Sequence, residues 1–234
     1  MDSLRRNKYA ILLVVLLAGI IVMSFSHRLV FGPLASDLLL TASILLMVPV
    51  VFDQRTHRLV AALAALTAIA VDWGHYAVPG ELHNRTLAAV FHGALLLLTG
   101  FATVVILRNI FRRQEVRSDD VLGAVCGYLL AAQAWGNLLA LTEIFVPGSF
   151  SIGAGFEGTI ATWHGRIATL GYVSLGTLSS VGSGDVAAVR APATVFVALE
   201  TVFGQFYLAV VVAQLVAAKM ARDEGWKAAH KDQE

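Results

Sequence analysis

Six apolar runs divide this sequence, at Tyr9 to Phe25, Leu34 to Phe52, Leu59 to Val78, Leu87 to Leu107, Val121 to about Val146 and Ala191 to about Met220. A helix needs about 20 mostly apolar residues to cross about 30 Å of hydrocarbon. In lipid a chain must also satisfy its own backbone amides and carbonyls, which runs of this length do as helices. The chain is 57% hydrophobic and 14% charged, where soluble domains are about half apolar and a quarter charged. The expected fold is therefore an all-α membrane protein of six transmembrane helices.

The basic residues set the orientation, because cytoplasmic loops retain Lys and Arg. With the N-terminus inside, thirteen of the seventeen Lys and Arg fall in the cytoplasm, and Arg28, Arg85, Arg166 and Arg190 fall outside. This pattern predicts both termini on the cytoplasmic side. The first run follows Arg5, Arg6 and Lys8 and lacks a small-residue cleavage site, so it reads as a retained signal anchor. A net charge of +1 gives no reason to expect a nucleic-acid partner. Cys126, the sole cysteine, can form no intrachain disulfide.

The basic stretch Arg108 to Asp120 separates four closely spaced helices from a pair joined by a long segment, Pro147 to Arg190. The expected organisation is a four-helix transmembrane domain at residues 1–118, a two-helix module at 119–220 and a short cytoplasmic tail at 221–234. Within the long segment, Pro147 to Gly158 is glycine-rich and reads as a loop. Trp163 to Ser179 is apolar and free of proline, but too short to span, and so predicts a re-entrant half-helix. Val181 to Gly184 would follow it as non-helical backbone at membrane depth, tolerated only where protein or a water-filled path surrounds it. The half-helix would aim its negative C-terminal end at that backbone, which favours a cation. Pro192 near the start of the sixth run suits the first turn of a helix.

Tyr172 to Asp185 reads Tyr-Val-Ser-Leu-Gly-Thr-Leu-Ser-Ser-Val-Gly-Ser-Gly-Asp. It resembles the pore helix and selectivity filter of potassium channels, whose pattern ends Thr-Val-Gly-Tyr-Gly-Asp. Leu199 to Val210 is similar to the inner helix of bacterial two-helix pore modules. The resemblance covers roughly Val121 to Met220 and implies a homotetramer, with Thr177, Ser180, Val181, Gly182, Ser183, Gly184 and Asp185 forming the filter. Main-chain carbonyls of Ser180, Val181, Gly182 and Ser183 would face the axis and replace the hydration shell of potassium. Gly182 and Gly184 would take positive φ without a Cβ penalty, and Asp185 would form a negative ring at the outer mouth. The resemblance places a gating bend at Gly204, where close helix packing is the alternative. It implies monovalent cations as permeant ions, no cofactor, and a bacterial cytoplasmic membrane. Serine replaces the family's tyrosine at position 183, which opens the alternative of a weakly selective cation channel.

A voltage sensor needs arginines at three-residue spacing, and Thr86 to Leu107 has none. Asp72 and His92 each lie seven residues in from the outer ends near Pro79 and Arg85, about 10 Å along each helix. They are expected to meet, as a hydrogen-bonded staple or a proton-sensitive latch. Glu143 and Glu200 are costly in hydrocarbon, so each should find a donor and brace the filter, through backbone amides behind it or through Arg166. Six spans and Gly-Ser-Gly at 182–184 also resemble rhomboid-type intramembrane proteases. Such a site needs a histidine base on a neighbouring helix, and the sixth run has none. A transporter or metal protein using Asp72, His75 and His92 would rest on three dispersed ligands. The chain is read as a non-enzyme.

Overall fold

The computed structural model describes residues 8–25, 32–52, 54–77, 85–112, 118–153 and 159–231. Seven α-helices are seen in them: α1 (Lys8–Phe25), α2 (Gly32–Val51), α3 (Arg55–Ala77), α4 (Arg85–Arg112), α5 (Ser118–Phe145), α6 (Trp163–Leu178) and α7 (Ala191–Lys231). Five of them, α2, α3, α4, α5 and α7, contain apolar stretches long enough to cross a membrane, and α1 carries a shorter one at Lys8–Val22. The chain is thus a helical membrane protein. Helix α7 continues from the sixth run through Lys231 and takes in most of the segment expected as a separate tail.

Residues 163 to 178 form a helix of 16 residues, too short to cross a bilayer, as the apolar length predicts. Thr162 caps it, its hydroxyl accepting from the Gly165 amide at 3.2 Å, which satisfies one of the free amides of the first turn. Two short strands were not anticipated: β1 (Phe150–Ile152) pairs antiparallel with β2 (Val186–Ala188), Ser151 opposite Ala187. They tie the chain leaving α5 to the chain leaving the α6 loop.

The principal core runs through both halves of the sequence. Leu12 and Leu16 of α1, Phe91 and Leu98 of α4, and Leu130 of α5 are fully buried in one cluster that also reaches Tyr207 of α7. A smaller core of Leu139, Phe150, Leu170 and Val186 lies under the two strands. Helix α3 turns Leu59, Leu63 and Leu66 outward, and α7 leaves Leu199, Val202, Phe206 and Val210 exposed. Apolar surface on this scale is stable against lipid or another subunit, not against water.

Two glycines fix close approaches. A Cβ on Gly127 of α5 would lie 2.6 Å from the Tyr207 hydroxyl, which donates to the Ala124 carbonyl at 2.7 Å and pins α7 to α5. A Cβ on Gly204 would lie 2.0 Å from the Leu178 carbonyl oxygen. Gly204 lies within α7, where its missing side chain admits the end of α6. Gly204→Ala is expected to overpack this contact and lower stability by about 1–3 kcal/mol. Gly93→Ala, where a Cβ meets nothing within 4 Å, is expected to gain about 1 kcal/mol. Thermal unfolding in detergent micelles checks both.

Candidate functional site: the loop after α6

The last turn of α6 is closed by the loop that follows it. The Ser179 amide donates to Leu175 O at 3.1 Å, and the Ser180 amide to Thr177 O at 2.9 Å. The Val181 and Gly182 amides both donate to Gly176 O at 2.9 Å. Two successive amides reach one acceptor because the backbone alternates in hand: φ is +60° at Ser180 and +78° at Gly182. Gly182 takes the positive φ expected of it, whereas Gly184 does not and the non-glycine Ser180 does.

In a trans peptide the carbonyl points opposite the amide. The carbonyls of Ser180 and Val181 consequently face away from α6. The expected run of four such carbonyls is not complete, since the Gly182 oxygen lies 2.9 Å from where a Cβ on Gly176 would be, against the helix. Ser183 donates its hydroxyl to Val186 O at 2.8 Å, at the start of β2. Thr177 is buried at the end of α6. Val181 is 84% exposed, and Gly184 and Asp185 are exposed beside it. The Gly153 amide holds the Asp185 carbonyl at 2.6 Å.

Side chains from the neighbouring helices brace the loop. Gln205 of α7 donates from Nε2 to Ser180 Oγ at 2.7 Å. Glu143 accepts from the amides of Gly148, Ser149 and Phe150 at 2.8, 2.9 and 3.3 Å. Its donors are backbone amides, as expected, but they belong to the turn leading into β1, so its support of the loop passes through the strands. Arg166 donates from Nε to Ile160 O at 3.0 Å.

Glu200 of α7 is fully buried. Its carboxyl bonds Ser174 Oγ of α6, which also bonds the Ala132 carbonyl of α5. A hydroxyl carries one proton and a carbonyl can only accept. Both contacts are satisfied together when Ser174 donates to Ala132 and a protonated Glu200 donates to Ser174. An uncharged carboxyl also suits full burial in an apolar setting. Glu200 thus locks α5, α6 and α7 together behind the loop.

Asp72 and His92 do not bond each other. Asp72 Oδ1 accepts from Trp163 Nε1 at 3.1 Å, and His92 Nδ1 meets Asn137 Oδ1 at 2.8 Å. Each finds a nearer partner in the α5–α6 unit, and Trp163 lies between them, its ring 4.7 Å from Phe91 and 6.4 Å from His92. Asp37 of α2 accepts from His164 Nε2 at 2.8 Å. Both carboxylates of the apolar N-terminal helices thereby grip the first turn of α6. The side chain of His75 lies outside the described residues. Among the described residues no group of three His, Cys, Asp or Glu is placed to hold a metal ion.

No family model, curated protein or solved structure gives a significant match to the chain.

Glu200→Gln keeps a donor for Ser174 and is expected to stay within about 1 kcal/mol of the parent protein. Glu200→Ala empties a buried site and removes the link from Ser174 to α7, at a cost of about 2–3 kcal/mol. Unfolding midpoints of the purified variants in one detergent provide the comparison.

Proposed function

We propose that this chain is the subunit of a homotetrameric cation channel, conducting potassium through the loop Ser180 to Asp185. The observation that carries the reading is the loop itself. Alternating hand at Ser180 and Gly182 turns two successive carbonyls away from the short helix α6, onto an exposed surface. Carbonyl oxygens presented in this way replace water around a monovalent cation when several copies surround an axis. One chain supplies one wall of such a site, so the reading requires four. The exposed apolar residues of α7, with Val181 above them, supply a surface for the neighbouring subunits.

In this reading α6 is a re-entrant pore helix, α5 the outer helix and α7 the inner helix. The C-terminal end of α6 adds the negative half of the helix dipole beneath the loop. Asp185 adds carboxylates at the outer mouth, Gln205 fixes the Ser180 hydroxyl at the inner end, and the four N-terminal helices hold the start of α6 through Asp37 and Asp72. In this reading the five long helices and the shorter α1 cross the bilayer, with both termini in the cytoplasm and the bacterial cytoplasmic membrane as location. Gating by a voltage-driven arginine helix is not part of the reading, because α4 has no arginine between Thr86 and Leu107.

Ser183 favours a second, narrower reading within the same class. Its side chain bonds forward to Val186 and leaves the 182–183 peptide turned toward Gly176. A filter held so loosely discriminates weakly among monovalent cations.

Purified protein in liposomes is expected to pass potassium. Gly182→Ala, which forces a Cβ onto a residue at φ +78°, is expected to lower flux by roughly tenfold or more without dispersing the tetramer. Absence of cation flux, or a monomeric active species, would overturn the proposal. Ser183→Tyr is expected to raise the potassium-to-sodium flux ratio, and an unchanged ratio would show that residue 183 does not set selectivity.

A further inference from the structure

A cavity of about 170 Å³ lies where the N-terminal helices meet the pore module. Its walls come from α1, α2, α4, α5 and α6, and its lining is mostly apolar, with Leu16, Leu95 and Leu130 among its residues. Its polar lining residues include Ser36 and Ser43 of α2 and, linked by hydrogen bonds on the α4–α5 side, His92, Gln133 and Asn137. This combination, apolar walls with few placed polar atoms, is the usual make-up of a small-molecule site.

The hydrogen bonds at that side fix what the site offers. Asn137 donates from Nδ2 to the Gln133 carbonyl at 2.7 Å, so its Oδ1 is the atom that faces His92 Nδ1 at 2.8 Å. His92 Nδ1 is then the donor, and in the neutral ring Nε2 is left as an acceptor. His92 is only 2% exposed, and Nε2 has no hydrogen-bond partner among the described residues. His92 lines the cavity, and a buried acceptor without a partner is stabilised by an incoming donor. A dry cavity of about 150 Å³ holds a benzene ring, which sets the size of the body.

We infer that this cavity binds a small uncharged molecule with an apolar body and one hydroxyl, a phenol or a short alcohol, whose hydroxyl donates to His92 Nε2. The ligand would reach the site through the lipid phase, in which such molecules dissolve. The cavity is bounded by Ile167, Gly171 and Leu175 of α6, so an occupant presses on the helix that carries the filter loop. Binding itself does not require the conducting role. An effect on ion flux rests on the channel reading.

Two glycines on the lining provide the test, since a Cβ on Gly19 or on Gly171 would meet nothing within 4 Å. Gly171→Leu and Gly19→Phe fill the cavity from opposite walls without disturbing His92. The full chain in detergent is photolabelled with a short alkanol carrying a diazirine, and the labelled residues are mapped by mass spectrometry. The expected result is saturable labelling of lining residues, competed by phenol about fivefold better than by benzene, the worth of one hydrogen bond. Either filling variant should lower labelling by roughly tenfold. Should Gly171→Leu fail to fold, Gly19→Phe reads the same cavity.

Non-saturable labelling, equal labelling of both filling variants, or equal competition by benzene and phenol would overturn the inference. Stronger competition by a long-chain fatty acid than by phenol would also overturn it, by assigning the cavity to a lipid tail. In liposomes phenol should alter potassium flux of the parent protein and not of Gly171→Leu. Saturable labelling together with no cation flux at all would sink the channel reading and leave the binding site standing.

Discussion

Everything at the candidate site depends on how the short helix α6 ends. The carbonyls at the end of α6 need donors, because each one buried without a partner costs several kcal/mol. The chain meets this demand with its own next residues: Gly176 O takes two amides from the loop and Thr177 O takes one. Closing the helix this way turns the loop backbone over, and the carbonyls of Ser180 and Val181 emerge on the far side. The feature proposed to meet an ion is thus the other face of a capping arrangement. Gly204 is bound to the same event, because the last carbonyl of α6 occupies the space a side chain there would need.

Around this junction the buried polar groups act as fixed points in an otherwise apolar structure. Ser174 and Glu200 join three helices, Glu143 gathers three amides at the base of β1, and Asp37 and Asp72 hold His164 and Trp163. Apolar packing in lipid is nearly indifferent to rotation of a helix about its axis, since lipid tails are as apolar as leucine. Polar contacts are not indifferent. They give each helix one azimuth, and here they concentrate on α6, which has the shortest apolar length and the greatest need of being held.

The same contacts connect the two halves of the chain. The core from Leu12 to Tyr207 crosses the boundary that the basic stretch at Arg108 to Asp120 suggests. In the proposed channel, a change in the N-terminal helices would be felt first at the start of the pore helix, through Asp37 and Asp72, and along its side, through the cavity behind His92. The N-terminal helices, which carry no arginine ladder, are thus joined to the start of α6 and through it to the loop that follows.

The sequence by itself determined the solvent, the class of fold and the placing of the helices. Run length and sparse charge identify long helices, and the short apolar stretch before Ser180-Val181-Gly182 identifies α6 to within a residue of its observed end, because helix formation and hydrophobic length are local properties. The Gly-Ser pattern also marked the loop as special backbone. Only the tertiary structure decided which buried groups meet. Asp72 and His92 lie at equal depth, yet depth fixes one coordinate and pairing needs the azimuth as well, so Trp163 and Asn137 took their places. The left-handed turn at Ser180, the orientation of the Gly182 peptide and the seat of Gly204 against Leu178 were equally beyond the sequence. Each is set by atoms brought from a different helix, and no local pattern records how those helices are packed.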